Sequence, residues 1–462
     1  MNISFAFWCV IGYFVLITIV GYYFVKRVKT REDFIIAGRS LSGIVLAGTL
    51  MATWMGSGTV VGGPNSLAYL YGPWFAIIQS VFSSPLGVIV LYFLATKIRR
   101  LGKESAADII EATYGSAARL IASIIMMIAY LGILSYQFTG VAFVLNATLG
   151  VSVPAGTIIA LIVITFIGFT GGLFSVAYTD FLGAILMLTG LLVGVPIAIH
   201  ISGGWAHLSS LLPKEHLSFG GPSPIKLIGY ILPTLFLVMG DQNMYTRFFA
   251  AKDERHARYG AMGWLFGIVV TYPAVAFGAS AARALFPNIP AGQALITLSA
   301  KIMPTVIGGV AVAAITAFVV TTGTSYVLMT ATNLVYDIYY RFINPKASDK
   351  HLLRLSRFGV IGVALLGYVL VQFFPTVLAV QMYSYTMYGA AITTVLLAAL
   401  IWKKATPAAG ITTMIVGGTV TVVWEILGKP FGLESGVISI PTAIITLIIV
   451  GTISYRNKLA RQ

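Results

Sequence analysis

Apolar runs of about 20 residues, the length that crosses a hydrocarbon core as a helix, recur along the chain with short polar breaks between them. Thirteen are legible, at about 4–25, 41–63, 73–97, 118–147, 153–171, 176–200, 226–247, 258–285, 304–340, 356–374, 376–402, 406–427 and 437–455. The pattern predicts an all-α polytopic membrane protein forming one transmembrane domain over residues 1–462. The second run is irregular. From Leu50 to Pro64 it reads LMATWMGSGTVVGGP, with Gly56, Gly58, Gly62, Gly63 and Pro64 crowded into nine positions. A regular hydrogen-bond ladder does not survive such a stretch, and freed backbone groups at membrane depth must be satisfied by protein or by an aqueous cavity. Discontinuous helices of this kind hold ions and solutes near the midplane of transporters. Close packing through small residues is the plainer alternative. The seventh run carries a second interruption signal, with Pro233 inside it and Gly240 before the polar cluster Asp241, Gln242 and Asn243.

Composition agrees with the pattern. The chain is 58% hydrophobic and 9% charged, with a mean hydropathy of +0.92, where a soluble domain would carry about 25% charged residues. Its net charge of +15 would suit nucleic acid, but the basic residues lie in short clusters between apolar runs, as cytoplasmic loops do. With the first amino end outside, Lys26–Arg39, Lys97–Arg119, Arg247–Arg258, Arg341–Arg357, Lys403 with Lys404 and Arg456–Arg461 all fall inside. Only Lys214, Lys226, Arg283, Lys301 and Lys429 are left outside of 29 basic residues. The expected topology therefore has its amino terminus outside and its carboxyl terminus inside, in the cytoplasmic membrane of a prokaryote. The positive residues follow the first apolar run, the reverse of a secretory signal peptide, so that run is expected to be retained. Cys9 is the single cysteine, which excludes an intramolecular disulfide.

Two connections carry structure of their own. SAADIIEATYG offers Ser105 and Asp108 as a capping box for a short surface helix ended by Gly115. WAHLSSLLPKEHLSFGGPSP is amphipathic and is expected to form a lid or solvated loop; its histidines and the preceding one, His200, His207 and His216, lack metal-ligand spacing and are expected at the surface.

The ninth run concentrates hydroxyls, Thr321, Thr322, Thr324 and Ser325, of which 321, 324 and 325 share a helical face. Neutral hydroxyls with carbonyls from a broken helix can replace the water shell of a small alkali cation, whereas transition metals would require imidazole or thiolate. Bonding back to the same helix is the alternative use of such residues. Acidic residues inside spans are costly and point to function. Asp180 and Asp241 are the candidates for an ion pathway, and Asp337 and Glu425 are expected at the interfaces.

GGLFSVAYTDFLGAILMLTG, Gly171 to Gly190, resembles the signature of the sodium:solute symporter family, the group containing the bacterial proline, pantothenate, sialic-acid and galactose symporters and the human sodium–glucose transporters. FIIAGRS, Phe34 to Ser40, is similar to the segment before that family's first core helix, and VYDIYY resembles its ending of the ninth span. The resemblance implies a five-plus-five inverted repeat of the leucine-transporter type. It would comprise an extra first helix at 4–25, repeats at 41–200 and 226–402, and two peripheral helices at 406–455. It implies a sodium site from the carbonyls of Ala52, Met55 and Phe318 and the hydroxyls of Thr321 and Thr322. A possible second sodium would use Asp180, Thr321, Thr324 and Ser325. Thr53, Trp54, Gly58, Thr59, Thr234, Val238, Gln381, Tyr383 and Tyr385 are the candidates for lining the solute pocket.

Departures narrow the reading. The signature's usual glutamine is Gly183, which bears on local packing. Pro73 stands where the sugar-binding members begin their third helix with glutamate, and no lysine lies inside the eighth run, so a sugar is disfavoured. ATWMGSGTVVGGPNSLAYLYG is most similar to the pantothenate branch. The resemblance thus implies a sodium-coupled importer of a small polar organic solute, with a carboxylate as the candidate class, working by alternating access. No cofactor beyond Na+ is expected, and the only partners expected are solute, ion and lipid, with no nucleic acid. A proton-coupled or uncoupled carrier of the same fold is one alternative, and a transporter-derived sensor another, although the tail after Tyr455 is short for an output domain. No catalytic cluster is visible in the spans.

Overall fold

The structure is a computed structural model and describes residues 5–25, 30–218, 222–374 and 376–460. Lys26, Arg27, Lys29 and Arg461 of the expected inner clusters lie outside these residues. The described chain is almost wholly helical. Ten of its helices are long and apolar enough to cross a membrane, eleven if the bent pair Gly43–Trp54 and Gly58–Tyr71 is one span; two shorter apolar helices, Phe5–Val20 and Val153–Phe169, fall on the first and fifth predicted runs.

The helices used below are α1 (Phe5–Val25), α2 (Gly43–Trp54), α3 (Gly63–Tyr71), α4 (Pro73–Arg100), α5 (Ser116–Leu149), α6 (Val153–Phe169) and α7 (Gly172–Ile201). They continue with α8 (Pro224–Gly240), α9 (Gln242–Ala250), α10 (Glu254–Leu285), α11 (Thr305–Ile343), α12 (Asp349–Val371), α13 (Val377–Ile401), α14 (Pro407–Ile426) and α15 (Ser435–Leu459). Among the described long spans, α11 and α13 are the most enclosed; α11 packs on α5, α6, α7 and α1, while α14 and α15 pack mainly on each other. Because lipid is as apolar as leucine, close backbone approach rather than hydrophobic transfer holds such helices together. Gly260 and Gly267 of α10 lie against Leu46 and Met51 of α2, and Gly48 of α2 lies against Phe181 of α7.

The first break forms as the sequence predicts. Met55 closes α2, its N–H still bonded to the Met51 carbonyl at 2.9 Å. Gly58–Gly62 then makes a wide turn, and α3 starts with Pro64 in its first turn, where a missing N–H costs nothing. The two halves are bent by 55°. The second break falls elsewhere than Pro233. α8 runs straight through that proline, against which Gly436 of α15 packs, and Thr234 Oγ1 donates to the Tyr230 carbonyl at 3.0 Å. The chain opens instead at Asp241, whose ψ of 117° separates α8 from α9.

A third irregularity lies inside the signature. Gly172 adopts φ 55°, which divides α6 from α7, and a Cβ there would collide with Phe34. The two most specific motifs therefore meet, since Phe34 opens FIIAGRS. Just beyond it, Leu41 pairs in a short parallel bridge with Ala251, tying the approach to the first broken helix to the exit from the second.

The capping box is present, with Ser105 accepting from the Asp108 N–H and Asp108 accepting from the Ser105 N–H. Of the histidines, His216 is buried rather than exposed, and its backbone packs against Gly72. Asp337 is likewise buried. It belongs to an ion cluster in which Arg119 contacts Asp337, Asp108 (2.8 Å) and Glu111 (2.6 Å), and Arg341 contacts Glu111 at 2.7 Å. Burial alone would raise the Glu111 carboxyl, but Arg119 and Arg341 outweigh it and hold the group below its ordinary value of 4.5. A depressed carboxylate stabilises the fold above its unfolded value and loses that contribution as pH falls through the folded one. Melting curves between pH 7 and about pH 3 should therefore show a smaller acid loss for Glu111→Gln than for the parent; equal losses would remove Glu111 from the pH response.

Candidate sodium site and solute pocket

The turn around Thr322 brings α11 against the end of α2. Thr322 Oγ1 lies 3.0 Å from the Ala52 carbonyl and 3.2 Å from that of Thr53, and Thr321 Oγ1 lies 3.4 Å from the Phe318 carbonyl. Gly56 permits this approach, since a Cβ there would overlap the Thr322 side chain. The Thr322 hydroxyl thus joins the Ala52 and Thr53 carbonyls across the two helices, whereas the Thr321–Phe318 contact lies within α11; Met55 closes α2. All are buried. Neutral carbonyl and hydroxyl oxygens suit an alkali cation that exchanges its water shell for them. A Cβ at Gly183 would meet only Ala317 and Phe318, at 3.5 and 4.0 Å.

Beside the same break lies the pocket, lined by Trp54, Gly58, Thr59, Gly63, Pro64, Gln79, Ser80, Ser83, Ser84, Thr234, Tyr272, Gln381 and Tyr385. Only about 10 Å³ of it can take the centre of a water molecule, roughly the room for one water. Helix movement is required before an organic solute fits. No lining residue is charged. Trp54 stacks on Tyr385 with centroids 6.2 Å apart, and its Nε1 donates to Tyr272 OH at 2.9 Å and Ser84 Oγ at 3.1 Å. Gln381 clasps the break itself. Its Nε2 donates to the Gly58 carbonyl at 3.0 Å, and its Oε1 accepts from the Gly63 N–H at 2.8 Å. Gln137 Oε1 accepts the Ser57 N–H at 2.9 Å. Two side-chain amides thereby supply what the interrupted ladder lacks.

At the second break Asp241 caps α9 by accepting from the Asn243 N–H at 2.9 Å. Its two oxygens also accept from Tyr130 and Tyr326, each at 2.6 Å. Tyr388, stacked on Tyr130, donates to the Gly240 carbonyl and accepts from the Gln242 N–H, each at 3.0 Å. Three tyrosines from α5, α11 and α13 fix this hinge.

Six of the nine solute-site candidates line the pocket: Trp54, Gly58, Thr59, Thr234, Gln381 and Tyr385. The other three point elsewhere. Thr53 bonds Asp180 at 3.0 Å, Val238 packs into the notch left by Gly87 of α4, and Tyr383 lies against Phe374 at 5.8 Å. The sequence reading missed the contribution of α4. Gln79, Ser80, Ser83 and Ser84 fall at i, i+4 spacing, a polar stripe on an otherwise apolar span that marks a face turned from lipid. Tyr272 carried no comparable signal.

The possible second sodium set is divided. Thr321 Oγ1 and Thr324 Oγ1 point to carbonyls of their own helix, the latter at 2.8 Å from Val320. Asp180 and Ser325 are both engaged by Arg247, a residue the sequence reading counted only as loop charge.

This broken-helix bundle, with an oxygen-lined notch beside an uncharged pocket, is the construction of a secondary transporter rather than of an enzyme. The sodium:solute symporter family profile matches residues 34–417, and the chain belongs to that family. It is 27% identical over 428 residues, 89% of this chain and 90% of the relative, to the high-affinity proline transporter PutP of Bacillus subtilis (strain 168). It is 23% identical to a sodium/proline symporter of Staphylococcus aureus (strain COL), covering 96% of this chain and 91% of that one. Among solved structures, the substrate-bound outward-open state of a Na+-coupled sialic acid symporter shares the fold with a TM-score of 0.82 at 18% identity, covering 97% of both chains. Mhp1, a nucleobase-cation-symport transporter, matches at a TM-score of 0.59 and 13% identity over 91% of this chain and 94% of its own. The protein is an integral membrane protein of the bacterial cell-membrane type, a sodium-coupled symporter of a small solute.

Proposed function

We propose that the chain imports a small zwitterionic amino acid, with L-proline the first choice, by alternating access, together with sodium held at Thr322. The observation that carries the coupling is the Thr322 hydroxyl set against the Ala52 carbonyl at the end of a broken helix. Residues held by the ion at that point couple its presence to the geometry of α2, and a ligand shifts a conformational equilibrium only by its differential affinity for the two states.

The pocket's chemistry supports the solute class. A lining without charged side chains favours a molecule of zero net charge, because an unpaired ion in such a site would be costly. The positive dipole end of α3 suits a carboxylate. The Gly63 N–H there and the Gly58 carbonyl, both held by Gln381 in this state, are the backbone groups that a carboxylate and a protonated amine would take over from that side chain. Trp54, Tyr272 and Tyr385 offer flat apolar faces of the size of a small ring. The relatives named as proline transporters point the same way.

The driving force suffices. A membrane potential of about 100 mV contributes roughly 2.3 kcal/mol per charge, and a tenfold sodium gradient about 1.4 kcal/mol more. One ion supports accumulation of several hundredfold. The test is a melting-temperature panel on the purified protein with amino acids, carboxylates, nucleobases and sugars, each in sodium and in choline chloride. L-proline or a close analogue should raise the melting temperature only when sodium is present. Stabilisation by a sugar or a dicarboxylate instead would overturn the proposed solute class.

A further inference from the structure

Asp180, on α7, is fully buried, and the group that neutralises it comes from the chain itself. Arg247 of α9 has no exposed side-chain surface. Its Nη2 lies 3.2 Å from Asp180 Oδ2 and donates to Ser325 Oγ at 2.9 Å. Its Nε donates to Thr49 Oγ1 at 2.9 Å, and its Nη1 reaches the Asn243 carbonyl at 3.1 Å and Asn243 Oδ1 at 3.3 Å. Thr49 and Thr53 also donate to the same Oδ2, at 2.5 and 3.0 Å, while the buried Oδ1 has no hydrogen-bond partner among the described residues. The guanidinium is thus seated in a socket built by α2, α7, α9 and α11, with each of its nitrogens engaged.

We infer that Arg247 is a tethered resident cation that takes the place of a second sodium at Asp180, so that the protein binds one sodium ion per chain. Three physical points carry this. Ser325 and Asp180 Oδ2, two of the oxygens such an ion would need, already accept from the guanidinium. A second positive charge on the same buried carboxylate would meet Arg247 at close range in a medium of low dielectric, where like charges repel strongly. A guanidinium is also less strongly hydrated than a compact ion and makes several directed bonds at once, so it remains in a dry socket at lower cost than sodium. The inference deepens the sodium reading at Thr322 and depends on it for the single ion that remains.

The experiment counts radioactive sodium bound at equilibrium to the purified full-length protein. About one ion per chain is expected for the parent. Arg247→Gln should expose the socket and raise the count to about two, and the added ion should vanish in the Arg247→Gln, Asp180→Asn double variant. A parent that binds two ions, one of them lost in Asp180→Asn, would overturn the inference, as would an Arg247→Gln protein that still binds one. Should Arg247→Gln fail to fold, the parent's count and its response to Asp180→Asn decide alone. Thr322→Ala separates the two readings: an unchanged count there would remove the Thr322 site and leave the Asp180 socket to be judged by its own variants.

Discussion

Thr322→Ala is expected to weaken sodium binding by about ten- to a hundredfold while the protein still folds. The hydroxyl, midway along α11, faces the Ala52 carbonyl at the end of α2 directly, with the Thr53 carbonyl beside it. A bond to a charged group is worth about 1.5–3 kcal/mol, and each 1.4 kcal/mol is about a factor of ten. The side chain is buried, but its loss leaves a small gap beside Gly56 rather than a charge without a partner, so stability should fall modestly. Sodium titrations of the melting temperature read both effects at once. Thr322→Ser, which keeps the oxygen, should restore most of the affinity. An unchanged sodium midpoint in the alanine variant would return the hydroxyl to helix packing.

The largest effect on stability is expected at the other break. Asp241→Ala removes the acceptor shared by Tyr130, Tyr326 and the Asn243 N–H. Each buried donor left without a partner costs about 1–3 kcal/mol, so the variant should lose roughly 3–5 kcal/mol and expose the hinge between α8 and α9. Asp241→Asn keeps one acceptor oxygen and should fall between the two. Unfolding in detergent, followed by tryptophan fluorescence, measures the difference. A loss under about 1 kcal/mol would mean that the tyrosine clasp does not hold this hinge.

Much of this was legible in the sequence for a physical reason. Backbone that cannot form a ladder announces itself through glycine and proline, so a break within Leu50–Pro64 was legible, although not the residue at which it falls. Three-residue and four-residue spacing put Thr321 and Thr324 on one face without any knowledge of neighbours. Pro233 misled because a proline's effect depends on what packs against it; here Gly436 of α15, some 200 residues away in sequence, receives the ring and the helix continues. The true break at Asp241 depends on tyrosines from three other helices, none predictable from the local string. Arg247 was invisible for a similar reason. By hydropathy it belongs to a basic inner loop, and only the tertiary fold carries it into a socket lined by Asp180 and Ser325. The α4 stripe of Gln79, Ser80, Ser83 and Ser84, in contrast, was readable by the same periodicity that identified the threonines.

The most direct test of the account is solute accumulation in liposomes that contain only this protein, loaded with potassium chloride and diluted into sodium, potassium or choline chloride. Radiolabelled L-proline, or whichever solute the stability panel selects, should rise above its equilibrium level only in sodium and decay as the sodium gradient runs down. Thr322→Ala should shift the sodium required for half-maximal uptake upward. Accumulation that is equal in all three salts, or that follows an imposed proton gradient with sodium absent, would contradict sodium coupling at Thr322.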